Sequence, residues 1–179
     1  MIKGTKIILR EKKLGDAAND YAWRIDVELA YLDASTPLDM SFSEFLPGYA
    51  DELCYANISG HRYAIETLDG RHIGNCSYYN LDEHKGEAEI GILIGERAFW
   101  DKGYGTDAVI TLVNQSFEEA NLKRIYLHTL EWNIRAKKCF QKCGFVPCGY
   151  VNRGGQNFII MEIKIDDYKN HHQIQPIIN

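Results

Sequence analysis

The sequence has no apolar stretch approaching the roughly 20 residues that span a bilayer. Its first residues, Met1-Ile2-Lys3-Gly4-Thr5-Lys6, lack the apolar region of a secretory signal. A cytoplasmic location without a membrane partner is therefore expected. A basic surplus is missing too: 20 Lys and Arg stand against 25 Asp and Glu, a net charge of −5. Nucleic-acid binding rests on a cationic face that displaces counterions, so no direct nucleic-acid partner is expected and a cationic acceptor fits better. The same charge is ordinary for a soluble domain. Cysteine occurs at Cys54, Cys76, Cys139, Cys143 and Cys148, an odd number without a tight framework, which reads as reduced thiols. Cys139 and Cys143 share one expected helix, but no partner pair or His cluster has ligand spacing with them, so packing rather than a metal site is expected. Internal repeats, linkers and low-complexity segments are also lacking. With 179 residues and 45% hydrophobic content, the chain is expected to form one domain over residues 1–165, followed by a loose polar tail over 166–179. The His171-His172 pair in that tail would need external ligands to hold a metal.

What is present reads as a mixed order of strands and helices. Lys6 to Arg10 has strand character, and Leu14 to Arg24 opens a helix with Asp16 as its cap, broken by Ser35-Thr36-Pro37-Leu38-Asp39. Phe45, Tyr49, Leu53 and Ala56 recur at helical spacing from Ser43 to Asn57, with Pro47 expected in the first turn. His61 to Leu68 and His72 to Tyr79 flank Asp69-Gly70 as an antiparallel hairpin. In the strand Glu87 to Ile94, alternation separates Ala88, Ile90, Ile92 and Ile94 from Glu87, Glu89, Gly91 and Leu93, so one face is apolar and the other carries two carboxylates. A helix from Gly105 to Ala120 presents Ala108, Leu112, Val113, Phe117 and Ala120 as a buried stripe. Arg124 to Glu131 is a further strand, Asn133 caps a short helix ending at Gly144, and Phe145 to Tyr150 with Phe158 to Ile165 form a last pair.

The most informative stretch is Phe99-Trp100-Asp101-Lys102-Gly103-Tyr104-Gly105-Thr106-Asp107-Ala108, a glycine-rich turn between an apolar strand and an amphipathic helix. Little bulk at Gly103 and Gly105 lets the backbone approach an anion. Unpaired N–H groups of the first helical turn and the helix dipole favour negative charge there, so a pyrophosphate is the expected ligand. Gly103-x-Gly105-x-x-Ala108 also satisfies the loose dinucleotide fingerprint. In that fold the first glycine follows its strand almost directly, whereas Gly95 to Lys102 intervene here. Glu131 lies far downstream for a ribose-binding acid, and no second mononucleotide-binding half follows.

After the helix come Arg124-Ile125-Tyr126-Leu127-His128-Thr129-Leu130-Glu131, then Asn133-Ile134-Arg135-Ala136, then Phe140-Gln141-Lys142-Cys143-Gly144-Phe145. With the glycine turn, this succession resembles the GNAT N-acetyltransferases, whose coenzyme A motif reads Q/R-x-x-G-x-G/A, followed by N-x-x-A-x-x-x-Y-x-K-x-G-F. The likeness runs from Glu87 to Phe145 and, with Trp100 where Gln or Arg is usual, is greatest to the branch that acetylates N-termini of ribosomal proteins and its relatives. Phe140 stands at the usual tyrosine.

The resemblance implies an α+β fold with a splayed, mostly antiparallel central sheet flanked by helices, and acetyl-CoA as co-substrate. It implies that pantetheine pairs with the strand edge at Ile92, Leu93 and Ile94, that the diphosphate lies on Lys102, Gly103, Tyr104, Gly105 and Thr106, and that Asn133 bonds the pantetheine region while also suiting an N-cap. Arg135, Lys137 and Lys138, Lys138 first, would stand near the 3′-phosphate or simply face solvent. Direct attack of an amine on the thioester makes Glu89 the candidate general base through water, with Glu87 as alternative. The general acid is open between Tyr104, Ser77, Cys139 and water. The acceptor is expected to be a protein N-terminus, with a polyamine or aminoglycoside as alternative and a non-catalytic acyl-CoA-binding module as a third reading. A homodimer is an open partner arrangement. Trp23, Asp26, Glu28, Tyr31, Asp33, Asp39 and Glu44 give the acceptor wall an acidic, aromatic character suited to a protonated amine.

Overall fold

In the computed structural model, which describes residues 1–54, 60–119 and 122–172, eight strands form one sheet. They are β1 (Ile2–Lys3), β2 (Ile7–Glu11), β3 (His61–Thr67), β4 (His72–Asp82), β5 (Glu87–Ile94), β6 (Arg124–Leu130), β7 (Val146–Arg153) and β8 (Gln156–Lys164). Their order is β1-β2-β3-β4-β5-β6-β8-β7, with every neighbouring pair antiparallel except β5 and β6. The helices are α1 (Ala17–Arg24), α2 (Val27–Leu32), α3 (Phe42–Cys54), α4 (Tyr104–Glu119), α5 (Ile134–Lys142) and α6 (Ile165–His172). This is the mixed α+β architecture expected above.

The apolar face of β5 and the buried stripe of α4 build one core. Ala108, Val109, Leu112 and Val113 are fully buried against a cluster that includes Ile7, Leu9, Ile65, Ala88, Ile90, Ile125, Leu127 and Met161. Ala120, expected to extend that stripe, lies outside the described residues. A carboxylate fixes the start of α4 to the sheet. Asp107 accepts the backbone N–H groups of Thr5 (3.0 Å), Lys6 (2.7 Å) and Ile7 (3.1 Å), where the chain enters β2. The glycine turn is thereby held against the first long strand.

Three local expectations are corrected. The helix expected from Leu14 is split. A 3-10 turn at Leu14–Asp16 precedes α1, which ends at Arg24, and Asp26 starts α2 by accepting the Leu29 N–H at 2.9 Å. Asp16 does not cap α1 with its side chain. It forms a bidentate pair with Arg10, both contacts at 2.7 Å, and accepts the Lys13 N–H, because a buried carboxylate needs such partners. Pro47 sits beyond the first turn of α3, whose start is capped by Ser41 and Glu44; the missing proline N–H removes a bond inside the helix. The part of the third helix expected beyond residue 54 falls on 55–59, outside the described residues.

The segment expected as a loose tail continues from β8 as α6. Tyr168 is buried there, its ring tilted against Phe117 and its hydroxyl bonded to Asn114. The backbone of His171 and His172 closes α6, while their side chains lie outside the described ones.

Replacing Asp107 by Ala strands three backbone donors at the α4–β2 junction, one of them part-buried. Hydrogen bonds to a charged group contribute about 1.5–3 kcal/mol, so urea unfolding should show a loss of about that size. A loss below about 0.5 kcal/mol would contradict the tethering role.

Candidate active site

Strands β5 and β6 pair at Glu87–Arg124, Ala88–Ile125 and Glu89–Tyr126, and nowhere beyond. From there β5 follows β4 to Ile94, while β6 follows β8 to Leu130. A cavity of about 520 Å³ opens between them, within the range of ligand sites. It is floored by the turn before α4 and closed by α5.

The glycine turn is shaped by two residues in the left-handed region, Asp101 (φ 57°) and Gly103 (φ 85°), which bring the chain round into α4. Gly105 sits where α4, α5 and β5 converge: a Cβ there would make ordinary contact, 3.7 Å, with both Cys139 Sγ and Ile94 Cγ1, and a larger side chain would extend beyond it. The first N–H groups of α4 have no intrahelical acceptor, as at any helix start. Gly103, Gly105 and Thr106 line the cavity, and so do Ile92, Leu93, Ile94, Asn133 and Lys138. Arg135 and Lys142 add cationic side chains to the same wall. An elongated anion with an amide-bearing arm fits this set of donors, cations and strand edge.

Lys102 and Tyr104 stand outside the lining. Lys102 Nζ donates to the Ala98 carbonyl at 2.7 Å, and the Tyr104 ring packs edge-on against Phe99 at 4.9 Å. Lys137 is likewise turned away, donating to the Glu131 carbonyl at 2.6 Å. Asn133 caps α5 by accepting the Ala136 N–H at 3.1 Å. Trp100 donates its indole N–H to the Ile94 carbonyl at 2.7 Å, so that edge group already has a partner, and the Arg135 guanidinium lies 3.5 Å from the Trp100 ring centre. Phe140, buried in the core, also reaches the cavity wall.

Cys139 lines the cavity 3.5 Å from Thr106 Oγ1. Its thiol is lowered to about 7, first by the Cys143 thiol and further by the Thr106 hydroxyl, against the opposing effect of burial. No His faces it among the described contacts, and Cys143 in turn donates to the Thr106 carbonyl.

The other face of β5 carries a polar network. Glu89 is only 7% exposed. Its Oε1 lies 2.6 Å from His128 Nδ1, and its Oε2 accepts from Asn80 Nδ2 at 2.9 Å. Arg153, from the tip of the β7–β8 hairpin, reaches His128 Nε2 at 3.1 Å. A guanidinium only donates, so Nε2 accepts, Nδ1 carries the hydrogen and Glu89 is its acceptor. Asn80 takes a left-handed conformation (φ 51°) at an irregularity between Tyr79 and Asp82, which aims its amide at Glu89. Glu87, the alternative base, is committed to Arg124 at 2.9 Å.

Across β4, Tyr79 sits opposite Glu89. Burial first, then the negative charges of Glu89 and Asp33, push its phenol well above the usual range. Asp33, just past α2, lines the cavity; the protein packed around it pushes its carboxyl up although much of its surface stays open, and Arg24 opposes the shift.

Of the other residues expected in the acceptor wall, Asp26 and Glu28 are bound by Arg97, Trp23 is buried against His72, and Glu44 serves Ser41. Tyr31 stacks on Trp132 at 4.5 Å. His128, Asn80, Tyr79 and Arg153 were not picked out from sequence. The alternation of Arg124, Tyr126 and His128 along β6 was the available signal for His128.

A family model described as an acetyltransferase (GNAT) domain matches residues 6–146. The chain belongs to the GNAT acetyltransferase family. It is an acetyl-CoA-dependent N-acetyltransferase, and no helix among its described residues is long and apolar enough to cross a membrane. A candidate ribosomal N-acetyltransferase, YdaF of Bacillus subtilis, is 31% identical over 100 residues, 56% of this chain and 54% of that protein, so the match spans about half of each. Among solved structures, spermidine N-acetyltransferase from Vibrio cholerae in complex with CoA and spermine superposes with a TM-score of 0.80 at 24% identity, over 92% of this chain and 98% of that one. An aminoglycoside acetyltransferase in complex with coenzyme A gives 0.76 at 22% identity, again over 92% and 98%. These two likenesses establish the fold.

Gly105→Val places methyl groups where α4, α5 and β5 converge. Coenzyme A affinity measured by calorimetry should fall at least tenfold, about 1.4 kcal/mol. Unchanged affinity in a folded variant would remove the glycine turn from the cofactor site.

Proposed function

We propose that this enzyme acetylates a small amine carrying more than one cationic centre, by direct attack of the neutral amine on the thioester. The observation that carries the reading is that two carboxylates, Asp33 in the cavity lining and Glu89 paired across the sheet with Tyr79, both act on the Tyr79 phenol. Together they attract an ammonium group to the point where the strands part. The ammonium gives its extra proton to solvent, and the neutral amine must lose a second proton as it attacks; Glu89 is the base for that one, being buried and fixed by His128 and Asn80, with lone pairs to spare. Asp33 holds the acceptor. The fold-level likeness to a spermidine N-acetyltransferase solved with spermine and to an aminoglycoside acetyltransferase supports a small polycation. A protein N-terminus is the second reading, favoured by the YdaF match.

The two readings separate in an assay of thiol release from acetyl-CoA with polyamines, aminoglycosides and short peptides bearing free N-termini. Turnover confined to the peptides would overturn the first reading. The two carboxylates separate kinetically. Asp33→Asn should raise the acceptor KM about tenfold and leave kcat nearly unchanged, the signature of lost ground-state attraction. Glu89→Gln should lower kcat by about 10²–10⁴-fold with coenzyme A affinity retained. Parental kcat in Glu89→Gln would remove the base.

A further inference from the structure

Glu89 stands on the last residue pair before the strands diverge and does not line the cavity, whose β5 wall begins at Ile92. A buried carboxylate in that position needs an intermediary to reach an amine attacking in the gap. Tyr79 bridges the interval. It faces Glu89 across β4 and β5, and its ring leans along β5 toward the divergence: Cε1 lies 3.4 Å and Oη 3.7 Å from where a side chain at Gly91 would begin. Gly91, the only residue between Glu89 and the cavity wall on this face of β5, has no side chain to block the ring. The tyrosine is 36% exposed, so a ligand can reach it. Immediately after it the strand is irregular and Asn80 takes its left-handed turn toward the same carboxylate, a local distortion of the kind that clusters at working sites.

We propose that Tyr79 is a catalytic residue whose phenolic oxygen relays the proton of the attacking amine to Glu89; this rests on the reading of Glu89 as the base. The amine nitrogen forms a bond to the thioester carbonyl carbon and its proton passes to Tyr79 Oη. The phenolic proton moves at the same time to the Glu89 carboxylate. Collapse of the tetrahedral species breaks the carbon–sulfur bond, the thiolate takes a proton from water, and Glu89 returns its proton to solvent. The products are the acetamide and free thiol, with Tyr79 and Glu89 restored. A phenol held well above its ordinary range keeps its proton between turnovers, as a relay requires. Phe140, at the position of the family's usual tyrosine, lacks the hydroxyl to take part.

The test uses Tyr79→Phe, which keeps the ring over Gly91 and removes only the oxygen, with the panel amine of highest turnover as acceptor. The expected result is a fall in kcat of about tenfold or more, with coenzyme A affinity and acceptor KM within about twofold of the parent. Combining Tyr79→Phe with Glu89→Gln should be no slower than the slower single variant, because both interrupt one path. Parental kcat in Tyr79→Phe together with a slow Glu89→Gln would overturn the relay and leave the base standing. Parental kcat in Glu89→Gln would overturn both. Fully additive losses in the double variant would show two independent roles and overturn the relay.

Discussion

The early parting of β5 and β6 is the constraint on which the site depends. Two parallel strands that hold together for only three residue pairs leave the remainder of β5 with an unmatched edge. Backbone N–H and C=O groups must be satisfied by something, and in a gap this size a ligand with its own amides can do it. The gap persists because each strand has a stronger allegiance elsewhere: β5 to β4 as far as Ile94, and β6 to β8 along its whole length. The end of the gap is then furnished by whatever follows the two strands. After β5 comes the glycine turn and the start of α4; after β6 comes the Asn133 cap and α5 with its cations. One divergence thus brings an anion-binding turn, a free strand edge and a basic helix to a single cavity.

The same divergence sorts the two faces of β5. Ala88, Ile90 and the buried stripe of α4 close one side, so chemistry is left to the other. There Glu89 is held by donors from three strands: Asn80 on β4, His128 on β6 and, through His128, Arg153 at the hairpin tip. Such a network satisfies a buried carboxylate and fixes it in place. Tyr79 and Asp33 then extend its influence toward the cavity. Gly91, the residue with the least bulk on that face, lies between Glu89 and the cavity wall.

Much of this was legible in the residues. Period-two alternation located β5 and the face that carries Glu89, and the glycine turn and the Asn133 cap marked the two sides of the cavity. The long-range partners were not legible. Asp16 reads locally as a helix cap, yet Arg10 on a neighbouring strand claims it. Asp26 and Glu28 read as a cation-attracting wall, yet Arg97 neutralises them. Residues 166–172 read as part of a polar tail because one buried tyrosine is a faint periodic signal. Asn80 in a left-handed turn within a strand follows from the fit of β4 to β5, not from the local sequence.

Hydrogen–deuterium exchange with and without coenzyme A tests the central claim most directly, since it reads the backbone groups that the divergence leaves unmatched. The account predicts slowed exchange on binding in Gly91–Ile94 and in Tyr104–Thr106, with β2 and β3 unaffected. Binding without protection at those two segments, or with protection confined to other strands, would contradict it.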